Sequence, residues 1–142
     1  MTVEAVLSCV WISAEKYGVP ARICLVFSGR TYAFKDSVSR ALRTLFPNVH
    51  VDYIVVDEAS VDDIVESVSH KLVEYKDAGF DILVDVTPGR KTMSIGLYVA
   101  AQKCKANKVV YLQLKDRSFE GILYPLIPKP YIRQVVLLGN RD

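Results

Sequence analysis

Hydrophobic and polar positions follow two different periods along this chain, and the switches between them mark out its elements. From Thr2 to Gly18, apolar residues stand at Val3, Val6, Leu7, Val10, Trp11, Ala14 and Tyr17. That i, i+3, i+4, i+7 spacing predicts an amphipathic helix with Thr2 as its N-cap and Gly18 past its end. Ala21–Phe27 is a short apolar run that predicts a buried strand delivering a polar loop, Ser28-Gly29-Arg30-Thr31. Asp36 or Ser37 then caps a second helix, with Val38, Ala41, Leu42, Leu45 and Phe46 on its apolar face, Arg40 and Arg43 facing out, and Pro47 closing it. A strand over Val49–Val56 ends on Asp57-Glu58, and Ser60 followed by Asp63 resembles a capping box for a helix of Ile64, Val65, Val68, Leu72 and Tyr75 that Gly79 terminates.

The stretch Asp81–Met93 organises the rest. It predicts a buried strand, Ile82 to Val86, which stops at the polar turn Thr87-Pro88-Gly89-Arg90-Lys91 and passes into a helix through Ser94–Lys105. Gly96, Ala100 and Ala101 let that helix sit close against the sheet or a symmetry mate. Lys108–Leu114 is the next strand, with Gly121–Ile127 as its antiparallel neighbour. The proline-bearing tail adds an edge strand or embraces a partner, since proline is excluded from a central position. Strands alternating with helices and finishing in a β hairpin predict an α/β fold: a Rossmann-like three-layer sandwich with a mainly parallel sheet and right-handed crossovers.

At 142 residues, about half of them hydrophobic, the chain suits a single domain over residues 1–142. Its 18 basic and 16 acidic residues leave a net charge of only +2, which argues against long nucleic acid or a membrane surface as partners and requires any anion site to be local. Cys9, Cys24 and Cys104 are widely spaced within apolar runs, as reduced core thiols of a cytoplasmic protein are, and no metal site is expected. His50 and His70 lie far apart and suit surface or half-buried positions, and Lys76, Lys129, Arg133 and Arg141 suit solvated ones, with Lys129 and Arg133 alternatively placed to reach a ligand in a dimer.

The candidate chemistry sits at the central turn. A helix that begins at the carboxyl end of a strand points backbone N–H groups and a positive dipole end into the crevice of an open α/β sheet, which favours an anion. Arg90 holds a phosphate by two parallel hydrogen bonds, Lys91 adds a mobile point charge, Gly89 permits close approach and Thr87 offers a hydroxyl. The plainer alternative is a tight β–α connection in which Thr, Pro and Gly serve the turn and Arg-Lys is a solvated pair. The turn is neither a P-loop nor a dinucleotide fingerprint. Ser28, Gly29, Arg30 and Thr31 form a second candidate at a strand end, and Tyr32 beside them is either an adenine-stacking ring or a partly buried anchor.

Asp85, Thr87, Pro88, Gly89, Arg90, Lys91 and Met93 resemble the Asp-x-Thr-(Gly/Pro)-Gly-(Arg/Thr)-Lys-x-Met signature of CARF domains, the CRISPR-associated Rossmann-fold sensors of cyclic oligoadenylates. The order of elements is similar over nearly the whole chain. The resemblance implies a homodimer whose signature turns meet across a two-fold axis to cradle a cyclic oligoadenylate, most simply the tetramer. It implies ligand contacts from Thr87, Pro88, Gly89, Arg90, Lys91 and Met93, with Ser28, Gly29, Arg30 and Thr31 assisting. Stand-alone members are small sensors or ring nucleases that cut the messenger with neither metal nor cofactor, by attack of a ribose 2′-hydroxyl on the adjacent phosphorus. Lys91 then matches the catalytic position, with Arg90 supporting it. The chain departs from the family pattern in opening on a helix, without the strand and Ser- or Thr-bearing loop that usually come first, so Ser28, Thr31 or Thr87 has to substitute or the protein binds without cutting. Three roles are consistent with these residues: cleavage, sensing or sequestration without cleavage, and a purely structural role.

Overall fold

A computed structural model of the chain describes residues 2–140; Arg141, expected as a solvated charge, lies outside them. The elements are α1 (Val3–Tyr17), β1 (Arg22–Ser28), α2 (Lys35–Leu45), β2 (His50–Val56), α3 (Val61–Asp77), β3 (Leu83–Asp85), α4 (Lys91–Lys103), β4 (Lys108–Leu114) and β5 (Ile132–Leu138), with 3-10 turns before α2 and between β4 and β5. The class is the α/β, Rossmann-like one that the alternation predicts. The described residues fall into two compact units.

The first unit comprises residues up to Val55 together with Leu114–Arg133. Thr2 caps α1 by accepting from the Ala5 N–H at 3.1 Å, and Gly18, at φ +96°, ends it. β1 and β2 form a two-stranded sheet. Val6 and Leu7 from α1, Leu25 and Phe27 from β1, and Val38 and Leu42 from α2 form one buried cluster. Phe27 at 1 % exposure and Val38 and Leu42 at 0 % are its most buried members, so α2 is fixed by its apolar stripe while Arg40 and Arg43 stay outside. Neither Asp36 nor Ser37 caps that helix. It grows out of the 3-10 turn Tyr32–Phe34, whose residues already have helical geometry, so Phe34 takes the cap position with no side-chain bond.

The segment Gly121–Ile127, expected as a strand, is not one. Gly121 takes φ +79°, Tyr124–Leu126 is a 3-10 turn with Pro125 in its first positions, and the Tyr124 N–H donates to the buried Ser8 hydroxyl at 3.0 Å. Pro125 has no N–H to give to a ladder, which removes the strand option there.

The second unit comprises Val56–Gln113 and residues from Gln134 onward. Its sheet has the order β3-β4-β5, with β3 parallel to β4 in the register Leu83↔Lys108, Val84↔Val109, Asp85↔Val110. Bonds from the Lys108 N–H to the Ile82 carbonyl and from the Val86 N–H to the Val110 carbonyl extend the pairing on both sides. The neighbour of β4 is therefore the tail strand β5. It begins beyond Pro128 and Pro130, so neither proline interrupts the ladder. Lys115 at the end of β4 donates to Tyr131 just before β5, and Gly139 after β5 lies against Asn107 just before β4, so the two strands run antiparallel.

Helices α3 and α4 pack closely on each other in this unit. A Cβ on Gly96 would stand 2.4 Å from Ile64 Cγ2, so the small residue of α4 faces α3, and neither the sheet nor a symmetry mate supplies this contact. Ser60 caps α3 by accepting from the Asp63 N–H at 3.1 Å, while Asp63 returns its carboxylate to the Asp57 N–H at 2.8 Å and ties the end of β2 to the helix start.

Candidate functional site

β3 is short and carries its chemistry at its last residue. The Asp85 carboxylate accepts from the Thr87 N–H at 2.9 Å and from the Thr87 hydroxyl, which closes the turn behind the strand. The same hydroxyl accepts from the Leu112 N–H of β4 at 2.7 Å. Thr87 is thus a strap between two parallel strands, and its one proton and one of its two lone pairs are already engaged inside the protein.

Gly89 has φ +110°, which favours glycine there, and a Cβ would lie 3.2 Å from that of Met93, a tight contact. Met93 is 3 % exposed and supports the turn from below. α4 begins at Lys91, three residues before the predicted Ser94. Its first turn has no apolar residue before Met93 and no Ser, Thr, Asp or Asn at the cap, which is why periodicity placed the start late. Arg90 occupies the cap position in extended conformation and makes no side-chain capping bond, and the first turn has no acidic residue. The positive end of the helix dipole is therefore faced by cations, the reverse of the stabilising arrangement.

Three further side chains hold the turn in place. Ser94 donates to the Val86 carbonyl at 2.7 Å, closing the strand end against α4. Thr92 donates to the Glu58 carbonyl at 2.7 Å, and the Glu58 carboxylate lies 3.7 Å from Arg90 Nε. Nothing in the sequence alone singles out Glu58, Thr92 and Ser94 as site residues. Thr92 and Ser94 are hydroxyls one turn into a helix, and Glu58 is the second of two acids after β2, but only their juxtaposition in space gives them a role. The Arg90 side chain is 61 % exposed against 20 % for Glu58, so the guanidinium leans over a half-buried acid while keeping most of its surface in water. Lys91 is exposed beside it.

The other candidate loop belongs to the first unit. Ser28 is 2 % exposed, and its N–H donates to the Thr31 hydroxyl at 2.8 Å, while the two hydroxyls stand 3.2 Å apart and the Thr31 N–H returns to the Ser28 carbonyl at 3.2 Å. This loop closes on itself with Gly29 and Arg30 exposed at its tip. Gly29 has open space where a Cβ would stand and no positive φ, so nothing local demands glycine there. Tyr32 is a partly buried anchor: its ring meets the buried Phe27 edge-on at 6.4 Å while 41 % of the residue stays exposed.

No family model and no curated protein sequence matches the chain. Among solved structures it is similar to protein VC1899 from Vibrio cholerae, with a TM-score of 0.65 at 11% identity over 78% of this chain and 28% of that one. It is also similar to Can2 from Sulfobacillus thermosulfidooxidans, solved in complex with cyclic tetra-adenylate, with a TM-score of 0.59 at 16% identity over 83% of this chain and 31% of that one. The chain thus spans about a third or less of the length of either protein. No helix among the described residues is long and apolar enough to cross a membrane. What these likenesses establish is the fold, a Rossmann-like α/β arrangement in which Thr87–Lys91 is the strand–turn–helix junction.

Proposed function

We propose that the chain is one CARF-like domain that binds a cyclic oligoadenylate, cyclic tetra-adenylate in the first instance, at the Thr87–Lys91 turn of a cytoplasmic homodimer and cleaves it in type III CRISPR signalling. The observation that carries this reading is the uncapped start of α4, where Arg90 and Lys91 face the positive end of a helix with no acid in its first turn. Such an arrangement is unfavourable alone and becomes favourable once a phosphate arrives. The signature residues around it and a fold shared with a protein solved with cyclic tetra-adenylate support the same ligand.

Cleavage needs no metal in this scheme. The ribose 2′-oxygen attacks the adjacent phosphorus and loses its proton, the bond from phosphorus to the 5′-oxygen breaks, and that oxygen leaves with a proton as a new 5′-hydroxyl, giving a 2′,3′-cyclic phosphate. Lys91 neutralises the charge that builds on the phosphoryl oxygens, and Arg90 and the backbone N–H groups after Gly89 orient them. Binding without cleavage is the second reading. It is favoured by the hydroxyls of Ser28, Thr31 and Thr87, all of which are engaged within the protein.

Incubation of the protein with radiolabelled cyclic tetra-adenylate in EDTA tests both. Linear products ending in a cyclic phosphate, lost in Lys91→Ala, support the nuclease. A gel shift without products leaves a sensor or sponge. Neither shift nor products removes this ligand and returns Thr87–Lys91 to a structural turn.

A further inference from the structure

The net charge of +2 conceals a segregation. The unit made of residues up to Val55 and Leu114–Arg133 carries ten Lys and Arg against six Asp and Glu, whereas the rest of the chain carries eight against ten. Within the basic unit, the outer face of α2 forms an open groove of about 430 Å³ lined by Lys35, Asp36, Ser39, Arg40, Arg43 and Thr44. Arg40 and Arg43 are exposed, and neither is in an ion pair among the described residues, although Asp36 stands one turn from Arg40. At one end of the groove, Lys35 Nζ lies 4.3 Å from the centroid of Tyr53 and 5.8 Å from that of Tyr32. These two rings are 5.8 Å apart and remain 41 % and 42 % exposed.

We infer that this face is a second ligand site, separate from the signature turn, which binds a short single-stranded oligonucleotide. The cations along α2 take its phosphates, and the Tyr32–Tyr53 pair takes a base. Lys35 to Arg43 spans about 12 Å at the helical rise of 1.5 Å per residue, which gives room for about two or three phosphates and no more. Unneutralised cations beside exposed aromatic rings are the pairing that single strands use, since stacking on an aromatic face is indifferent to sequence and the backbone needs only point charges. An acidic peptide has no use for the ring pair. A lipid surface calls for apolar side chains that enter it along the helix, whereas the groove itself is lined by charged and hydroxyl residues.

The test is a titration of the 15N-labelled full chain, at low salt, with an RNA tetranucleotide and the DNA tetranucleotide of the same sequence, followed by amide shifts. Inorganic tripolyphosphate and anionic phospholipid vesicles serve as the comparison ligands. We expect saturable shifts over residues 32–44 and at Tyr53 with one or both oligonucleotides, a preference for RNA indicating ribose contacts. The slope of log K against log salt should be about −2 for three cations and shallower by about 1.4 in Arg40→Glu/Arg43→Glu. That double variant should bind about tenfold more weakly or worse, and Tyr53→Thr about fivefold, while Lys91→Ala leaves these shifts unchanged. The inference is overturned if the shifts fall only at Thr87–Lys91, if the double variant binds as the parent does, if tripolyphosphate binds as well as the oligonucleotide with Tyr53→Thr neutral, or if vesicles bind and oligonucleotides do not.

Discussion

Replacing Thr87 with valine preserves the outline of the side chain and removes its hydroxyl, so it isolates the strap between β3 and β4. Two bonds disappear, the one donated to Asp85 and the one accepted from the Leu112 N–H at 2.7 Å. Leaving a buried N–H without its acceptor costs about 1–3 kcal/mol, and losing a bond to a charged group about 1.5–3 kcal/mol. Asp85 keeps the Thr87 N–H at 2.9 Å, which places the combined loss toward the lower end, at about 3 kcal/mol. For a chain of this size that corresponds to a fall in Tm of about 10 °C. Thr87→Ser retains both bonds and should lose less than about 1 kcal/mol. Urea unfolding followed by circular dichroism gives the difference from the midpoints, provided the slopes agree. A valine variant within about 0.5 kcal/mol of the serine variant refutes the strap. If that variant also loses the ligand, the hydroxyl serves the ligand instead of the sheet.

Glu58→Gln removes the carboxylate that holds Arg90. Because Arg90 is mostly exposed, stability should change by less than about 0.5 kcal/mol, while calorimetric affinity for cyclic tetra-adenylate rises about two- to fivefold as the guanidinium is released; an unchanged affinity refutes the restraint. Gly96→Ala puts a methyl 2.4 Å from Ile64 Cγ2 and should lose about 1–3 kcal/mol in urea, with a coupling of at least about 1 kcal/mol to Ile64→Ala in a double-mutant cycle. The Tyr124 phenol donates to Glu15 at 2.8 Å, and that bond raises its pKa above the ordinary tyrosine value. A phenol whose pKa is higher folded than unfolded contributes stability in full below about pH 10 and loses it as pH rises through the folded pKa. Thermal melts from pH 9 to 11 should therefore fall more steeply for the parent than for Tyr124→Phe.

The parts of the fold legible in the sequence are those fixed by short-range rules. α1 and α3 have a helical apolar stripe and a hydroxyl at the cap, Thr2 and Ser60, and both caps form as read. β1, β2 and β4 are apolar runs long enough to be strands and too short to be helices. The failures have physical causes. The start of α4 was placed late because its first turn is built for charge and not for packing, so it shows neither a cap nor periodicity. The segment Gly121–Ile127 is an apolar run of strand length, but Pro125 has no N–H to contribute, and the pairing beside β4 goes to Ile132–Leu138, which lies beyond the last proline.

The site divides along a different line. The placement of its residues is legible, because Arg90 and Lys91 stand at the helix start and the turn before them needs Gly89. What each hydroxyl does is not, because Thr87, Ser28 and Thr31 have the same composition whether they face a ligand or one another. Tracing the bonds decides it: Thr87 bridges Asp85 and Leu112, and Ser28 and Thr31 bond to each other, so each of the three is held within the protein. The groups at the signature turn that remain directed outward are Arg90 and Lys91, both exposed, at the head of an uncapped helix. What this turn offers a ligand is therefore charge. If the ligand is cut there, the attacking group is its own, and the protein acts by position and charge.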